Sequence, residues 1–168
     1  MTEWVKLDVP LTGGCQCGAV RYALDQQPVN VHVCHCRMCQ KAVGGPFAVI
    51  CPVEKPALRI TRGELTFFRS SDVGRRGYCK DCGTPMTFDY PDGHDIGVLV
   101  GTLDDPDIAP PENQYGNESR VVWYSTLTQV PGTRPTYADN PEMRLKISST
   151  SHQHPDHDTD RWPLGRSS

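Results

Sequence analysis

Residues 34–39 read CHCRMC, and two further short motifs, CQC at 15–17 and CKDC at 79–82, bring seven of the eight cysteines into three clusters. Two thiolates on a tight turn can aim both sulfurs at one ion about 2.3 Å away, which is the spacing that zinc sites use. Gly83 and Gly18 directly follow the outer pairs. Glycine at such a place can take a positive φ, so that backbone amides face the thiolates and offset their charge. Cys15 and Cys17, on locally extended chain, project to one face. Cys15, Cys17, Cys79 and Cys82 together make a closed, structural four-sulfur zinc site. Cys34, Cys36 and Cys39 then supply three ligands to a second zinc and leave a position open for water or substrate. Two alternatives stay open: Cys34 and Cys36 could complete the first site, and His35, Asp89 or His94 could close the second. Three thiolates on a divalent ion leave a net negative charge, which suits an incoming thiol held in its nucleophilic thiolate form. His35, pointing away from Cys34 and Cys36 on an extended segment, reads as an orienting or packing residue. Cys51 reads as a buried strand residue.

These clusters need a frame of short elements. Runs at 19–24, 29–33, 46–51, 65–70, 85–90, 95–101 and 119–124 are rich in β-branched and aromatic residues and predict strands. Turn formers at 44–45, 62–63, 91–93 and 104–106 separate them. One helical turn is expected through RMCQKAV after Cys36. The class is mainly β, built of short twisted antiparallel strands with few short helical turns. In this reading Trp123 packs in the core, and Asp104 caps a turn. A length of 168 residues fits one domain over 1–140 and a polar tail over 141–168. The tail carries few large apolar groups and reads as disordered, with His152, His154 and His157 solvated. A net charge of -3 offers no basic field for nucleic acid. No secretory leader and no apolar run long enough to span a bilayer is evident, so a cytoplasmic location without a membrane partner is expected. In a reducing compartment the clustered cysteines point to metal rather than to disulfides. A homo-oligomer stays open.

The ordered set GGCQCGAVRY (13–22), CHCRMCQKAVGGPF (34–47), RRGYCKDCGTPM (75–86), GTLDDP (101–106) and ESRVVW (118–123) resembles the glutathione-dependent formaldehyde-activating enzyme family, which includes centromere protein V. The resemblance covers about residues 12–130. It implies a zinc-containing β-tent fold, a structural zinc on Cys15, Cys17, Cys79 and Cys82, and an exchangeable zinc near the substrate on Cys34, Cys36 and Cys39. The activity it implies is that of a zinc-dependent carbon–sulfur lyase acting on a glutathione, or other thiol, adduct of formaldehyde or a related carbonyl compound. One departure is Asn113, where many relatives have a histidine; asparagine cannot shuttle a proton at neutral pH. Arg75, Arg76 and Arg120 are candidates to grip a substrate carboxylate. Competing readings are a zinc-stabilised protein-interaction module without catalysis, a zinc hydrolase or lyase acting on a different carbonyl or imine, and a thiol redox protein. The last lacks a thioredoxin-like context.

Overall fold

The computed structural model describes residues 4–132 and 137–162. Its chain is mainly β and forms two sheets. Strands β1 (Lys6–Gly14), β2 (Arg21–Gln26) and β5 (Leu58–Arg62) make a three-stranded antiparallel sheet in the order β1-β2-β5. The larger sheet contains β3 (His32–Cys34), β4 (Ala48–Glu54), β6 (Thr66–Arg69), β7 (Arg75–Tyr78), β8 (Pro85–Asp89), β9 (Asp95–Leu99) and β10 (Asn113–Tyr115). Its order is β10-β3-β4-β9-β8-β7-β6, antiparallel throughout except for the parallel pair of β10 with β3.

The main core lies between the sheets. Tyr22 and Leu24 of β2 meet Cys51 and Val53 of β4, Met86 of β8 and Val98 of β9, all at most 1% exposed. Such strands are covered on both faces, which explains why β4 and β9 read as apolar runs rather than as alternations. Truncating Leu24 to alanine there would cost about 2–5 kcal/mol. A second, smaller cluster of Ala48, Ile50, Leu99 and Cys39 packs beneath Cys34 and Cys36. It seats the only element between β3 and β4, the helix α1 (Arg37–Val43). Cys36 caps that helix by accepting a hydrogen bond from the Cys39 amide, and Gly44 ends it in the left-handed conformation.

Two expectations change. Residues 119–124 are not a strand: the chain runs through 3-10 turns at Asn117–Ser119 and Val122–Gln129. Val122 is 92% and Trp123 48% exposed, so Trp123 is not a core residue, and among the described residues no strand pairs with the segment. The tail is ordered over its described part. Asn140 caps a helix α2 (Pro141–Thr150) by accepting from the Met143 amide, with proline in its first turn. The chain then returns to the body, where His154 is only 4% exposed. Polar groups drive this docking: Asp158 pairs with Arg21, Arg62 donates to the Thr159 carbonyl, and Trp162 Nε1 donates to the Cys17 carbonyl at 2.7 Å. Residues 163–168 lie outside the described residues.

Candidate metal centres and the adjoining cavities

The first cluster is assembled from two turns far apart in sequence. Cys15 and Cys17 follow β1, and Cys79 and Cys82 lie between β7 and β8. Gly18 and Gly83 take φ of 79° and 76°, closing each turn through Gly18 N to Cys15 O at 3.0 Å and Gly83 N to Cys79 O at 2.9 Å. Four sulfurs held about 2.3 Å from one ion in a tetrahedron stand about 3.8 Å apart. Here Cys15 Sγ and Cys17 Sγ are 3.6 Å apart, and Cys17 Sγ and Cys79 Sγ 3.9 Å. All four sulfurs fall within 4.8 Å of one another and none is in a disulfide. The donor set thus fits a tetrahedral thiophilic ion. Thr84 ties the two turns together: its hydroxyl accepts from the Gln16 amide at 3.1 Å and lies 3.1 Å from Cys82 Sγ. Burial works against the Cys82 thiolate but is outweighed by the Thr84 hydroxyl and nearby amides, bringing its pKa down to about 6. Burial pushes the Cys17 thiol up to about 12.

The second cluster comes from one local stretch. Cys34 ends β3, Cys36 caps α1 and Cys39 lies in its first turn, and their sulfurs also fall within 4.8 Å of one another. Among the described residues no histidine or carboxylate joins them. His35 is fully buried, edge-on to Tyr124 and Phe47, with Nε2 donating to Gln114 Oε1. Asp89 is held by Arg75 and by Lys55, and His94 is exposed on a turn. The structure therefore brings the seven sulfurs together as four and three. Burial pushes the Cys34 thiol up to about 12, whereas amide hydrogen bonds to Cys36 outweigh its burial and lower its pKa. Cys51 is buried apart from both sites, its thiol donating to the Val98 carbonyl.

A cavity of about 260 Å³ opens beside the three-cysteine cluster, lined by His32, Ile50, Arg76 and Phe88 among others. His32 was not singled out by the sequence, because alone on a strand it looks like any packing residue. Its Nδ1 donates to the Asn30 carbonyl at 2.8 Å, which leaves Nε2 as an acceptor. Asn113 sits beside His32 in the parallel pair of β10 and β3, its side-chain amide donating to Asn30 Oδ1. Arg76 is 8% exposed, stacked over the Phe88 ring, and its Nη2 lies 3.5 Å from Cys39 Sγ. Arg75 is committed to Asp89 at 2.8 Å and leans over Phe67. Arg120 lies over Tyr124 on the far side of β3, in a separate polar pocket with Asn113 and Asn117. The three arginines are therefore not one constellation. Asp104 is also reassigned: it does not cap its turn but takes two hydrogen bonds from Arg21, at 2.7 and 2.5 Å, and one from Thr12. Asp105 is the residue that caps the turn, accepting from the Asp107 amide.

The family described as glutathione-dependent formaldehyde-activating enzyme matches residues 10–119, which contain every cysteine of both clusters. The chain belongs to this family. A Schizosaccharomyces pombe protein described as an uncharacterized lyase is 28% identical over 81 residues, 48% of this chain and 58% of that protein. The chain thus spans little more than half the length of that relative. A Halomonas elongata protein bearing the provisional name of glutathione-dependent formaldehyde-activating enzyme is 27% identical over 114 residues, 62% of this chain and 73% of its own length. A crystal structure of a Rhodobacter sphaeroides protein superposes with a TM-score of 0.51 at 22% identity, covering 62% of this chain and 99% of that one, and it speaks for the fold alone. The family match ends at residue 119, so the 3-10 segment, α2 and the docked tail lie outside it.

Proposed function

We propose that this protein is a zinc-dependent carbon–sulfur lyase acting on the adduct of glutathione, or of another thiol, with formaldehyde or a related carbonyl compound. The observation that carries the reading is the second cluster, three thiols with no fourth protein ligand in reach among the described residues, on the wall of a cavity. A zinc ion held by Cys34, Cys36 and Cys39 would supply an open position that favours an incoming sulfur as thiolate. The remaining work falls to the chain. His32 Nε2 takes the proton that the thiol gives up. The Arg76 guanidinium beside Cys39 offsets the charge of the gathered sulfurs, and Ile50 and Phe88 keep water from the reacting atoms.

In the forward direction the sulfur lone pair forms the C–S bond and the carbonyl π pair moves to oxygen. The proton carried by His32 ends on that oxygen, giving the S-hydroxymethyl product; the reverse sequence is the lyase reaction. The four-cysteine zinc site has a structural role in this reading. Because such adducts also form unassisted, the test is the exchange rate above background, measured by NMR between free and adducted thiol. Wild type should accelerate it; Cys36→Ser should return it to background, and His32→Gln should lower it about 10²-fold. Full acceleration by Cys36→Ser would refute the assignment. A zinc-stabilised interaction module is the second reading, favoured by the exposed Val122, Trp123 and Val130 outside the family match. It predicts no acceleration in the wild type.

A further inference from the structure

A second and larger pocket, about 550 Å³, lies on the other side of Met38 and Arg76, the two residues whose side chains line both it and the cavity at the three-cysteine cluster. Its volume is in the range of pockets that hold a whole small molecule. Met38, Ala42, Phe68, Tyr78 and Pro85 give it an apolar lining, and Met38 and Phe68 are 54% and 61% exposed there although both are large hydrophobic residues. Single exposed apolar side chains are ordinary, but several converging on one concavity mark a binding surface. The charges around it have one sign. Arg37 and Lys41, a turn apart on α1, and the buried Arg76 all line it, and no acidic side chain does. Among the described residues none of these three cations pairs with a carboxylate.

From this pairing of apolar walls with cations that have no carboxylate partner among the described residues, we propose that the pocket binds the remote part of the substrate, and that this part is an organic anion with an apolar body, a carboxylate attached to an aromatic or branched aliphatic group. The inference rests on the function proposed above, because it takes the sulfur of the same molecule to lie at Cys34, Cys36 and Cys39. It also narrows the substrate class. Glutathione brings two carboxylates and an ammonium group, and the pocket offers that ammonium no acidic partner. An N-acylated cysteine with an aromatic acyl group brings the carboxylate and the ring without the cation. Preference for such thiols over glutathione would come from ring burial against Phe68 and Met38 and from the carboxylate reaching Arg37 and Lys41.

Thiol binding to the cobalt-loaded full chain, followed by the visible spectrum, tests the inference with four probes: 2-mercaptoethanol, glutathione, N-benzoylcysteine and benzyl mercaptan. N-benzoylcysteine should bind about tenfold more tightly than glutathione, and more tightly than benzyl mercaptan, which lacks the carboxylate. In Arg37→Ala/Lys41→Ala the advantage of N-benzoylcysteine over benzyl mercaptan should vanish, and in Phe68→Ala its advantage over glutathione should shrink about fivefold. Arg37, Lys41 and Phe68 are exposed, so these variants should fold. If wild type responds to 2-mercaptoethanol but binds glutathione as tightly as N-benzoylcysteine, or benzyl mercaptan as tightly as the acid, the anion pocket is wrong while the open site stands. If no thiol changes the spectrum, the proposed function itself fails.

Discussion

Cys15, Cys17, Cys79 and Cys82 gather four sulfurs from two distant turns, whereas Cys34, Cys36 and Cys39 gather three from one local stretch; a cavity adjoins each cluster. The four-cysteine cluster joins turns more than 60 residues apart, Cys17 and Cys79 being separated by 62 positions. It is tied by Thr84 and overlaid by the tail, whose His154 amide donates to the Gln16 carbonyl at 2.7 Å and whose Trp162 donates to the Cys17 carbonyl. The three-cysteine cluster lies within six consecutive residues and rests on a helix of only seven. An ion in the first site would cross-link the two sheets by closing a long loop; an ion in the second would constrain little that β3 and α1 do not already fix. Under the proposed function the same ligand type would serve architecture where sequence separation is large and four sulfurs converge, and chemistry where three local ligands leave a coordination position free.

Breaking the first site should have the largest effect. Cys79→Ser removes a thiolate from a site where a bound metal would contribute on the order of 10 kcal/mol, comparable to the whole stability of a domain. Its cooperative thermal transition should be lost, together with the metal content measured by native mass spectrometry. Cys36→Ser should separate the two regions. We expect a folded protein with one ion instead of two, a melting temperature within a few degrees of wild type, and no spectral response to thiols.

Smaller effects probe the tail that covers only one of the sites. Trp162→Phe keeps the ring and removes one hydrogen bond to the Cys17 carbonyl, worth about 1 kcal/mol. Hydrogen exchange should speed up several-fold in residues 16–18 and 153–160 and stay unchanged in residues 34–39. The smallest effect concerns pH. Burial, with the charges of Arg21 and Arg62 close by, holds the His154 pKa below that of an ordinary histidine. A depressed value means that the docked tail favours neutral His154. Docking is then fully stabilised above about pH 6.5 and weakens as the pH falls below it. Exchange of the tail should rise as the pH falls below about 6.5, and His154→Gln should flatten that profile.

The cysteine spacing carried the site further than it carried the fold. Spacing marked all seven sulfurs as metal ligands but left open whether Cys34 and Cys36 complete the first site; the four-and-three split is the one that the family resemblance implies, and the structure gathers those sets. The buried strands β2, β4, β8 and β9 were legible from their apolar runs. Strand β1 with its charged start, the arginine-bearing β5 and β7, and the wholly exposed β10 were not, because their place depends on partners rather than on pattern. His32 gains its meaning only from the Asn30 carbonyl that fixes its tautomer and from the cavity beside it. The tail was misread for a related reason: its anchors are polar, and hydropathy does not register a histidine, an aspartate and an indole nitrogen that each find a buried or backbone partner.

The contrast between a saturated and an open metal centre is tested most directly by loading the intact chain with cobalt and adding a small thiol while recording the visible spectrum. Two tetrahedral ions should be counted, and the thiol should raise the sulfur-to-cobalt charge-transfer band of one of them, with no such change in Cys36→Ser. A single bound ion, or two ions whose spectra ignore the thiol, would contradict the account.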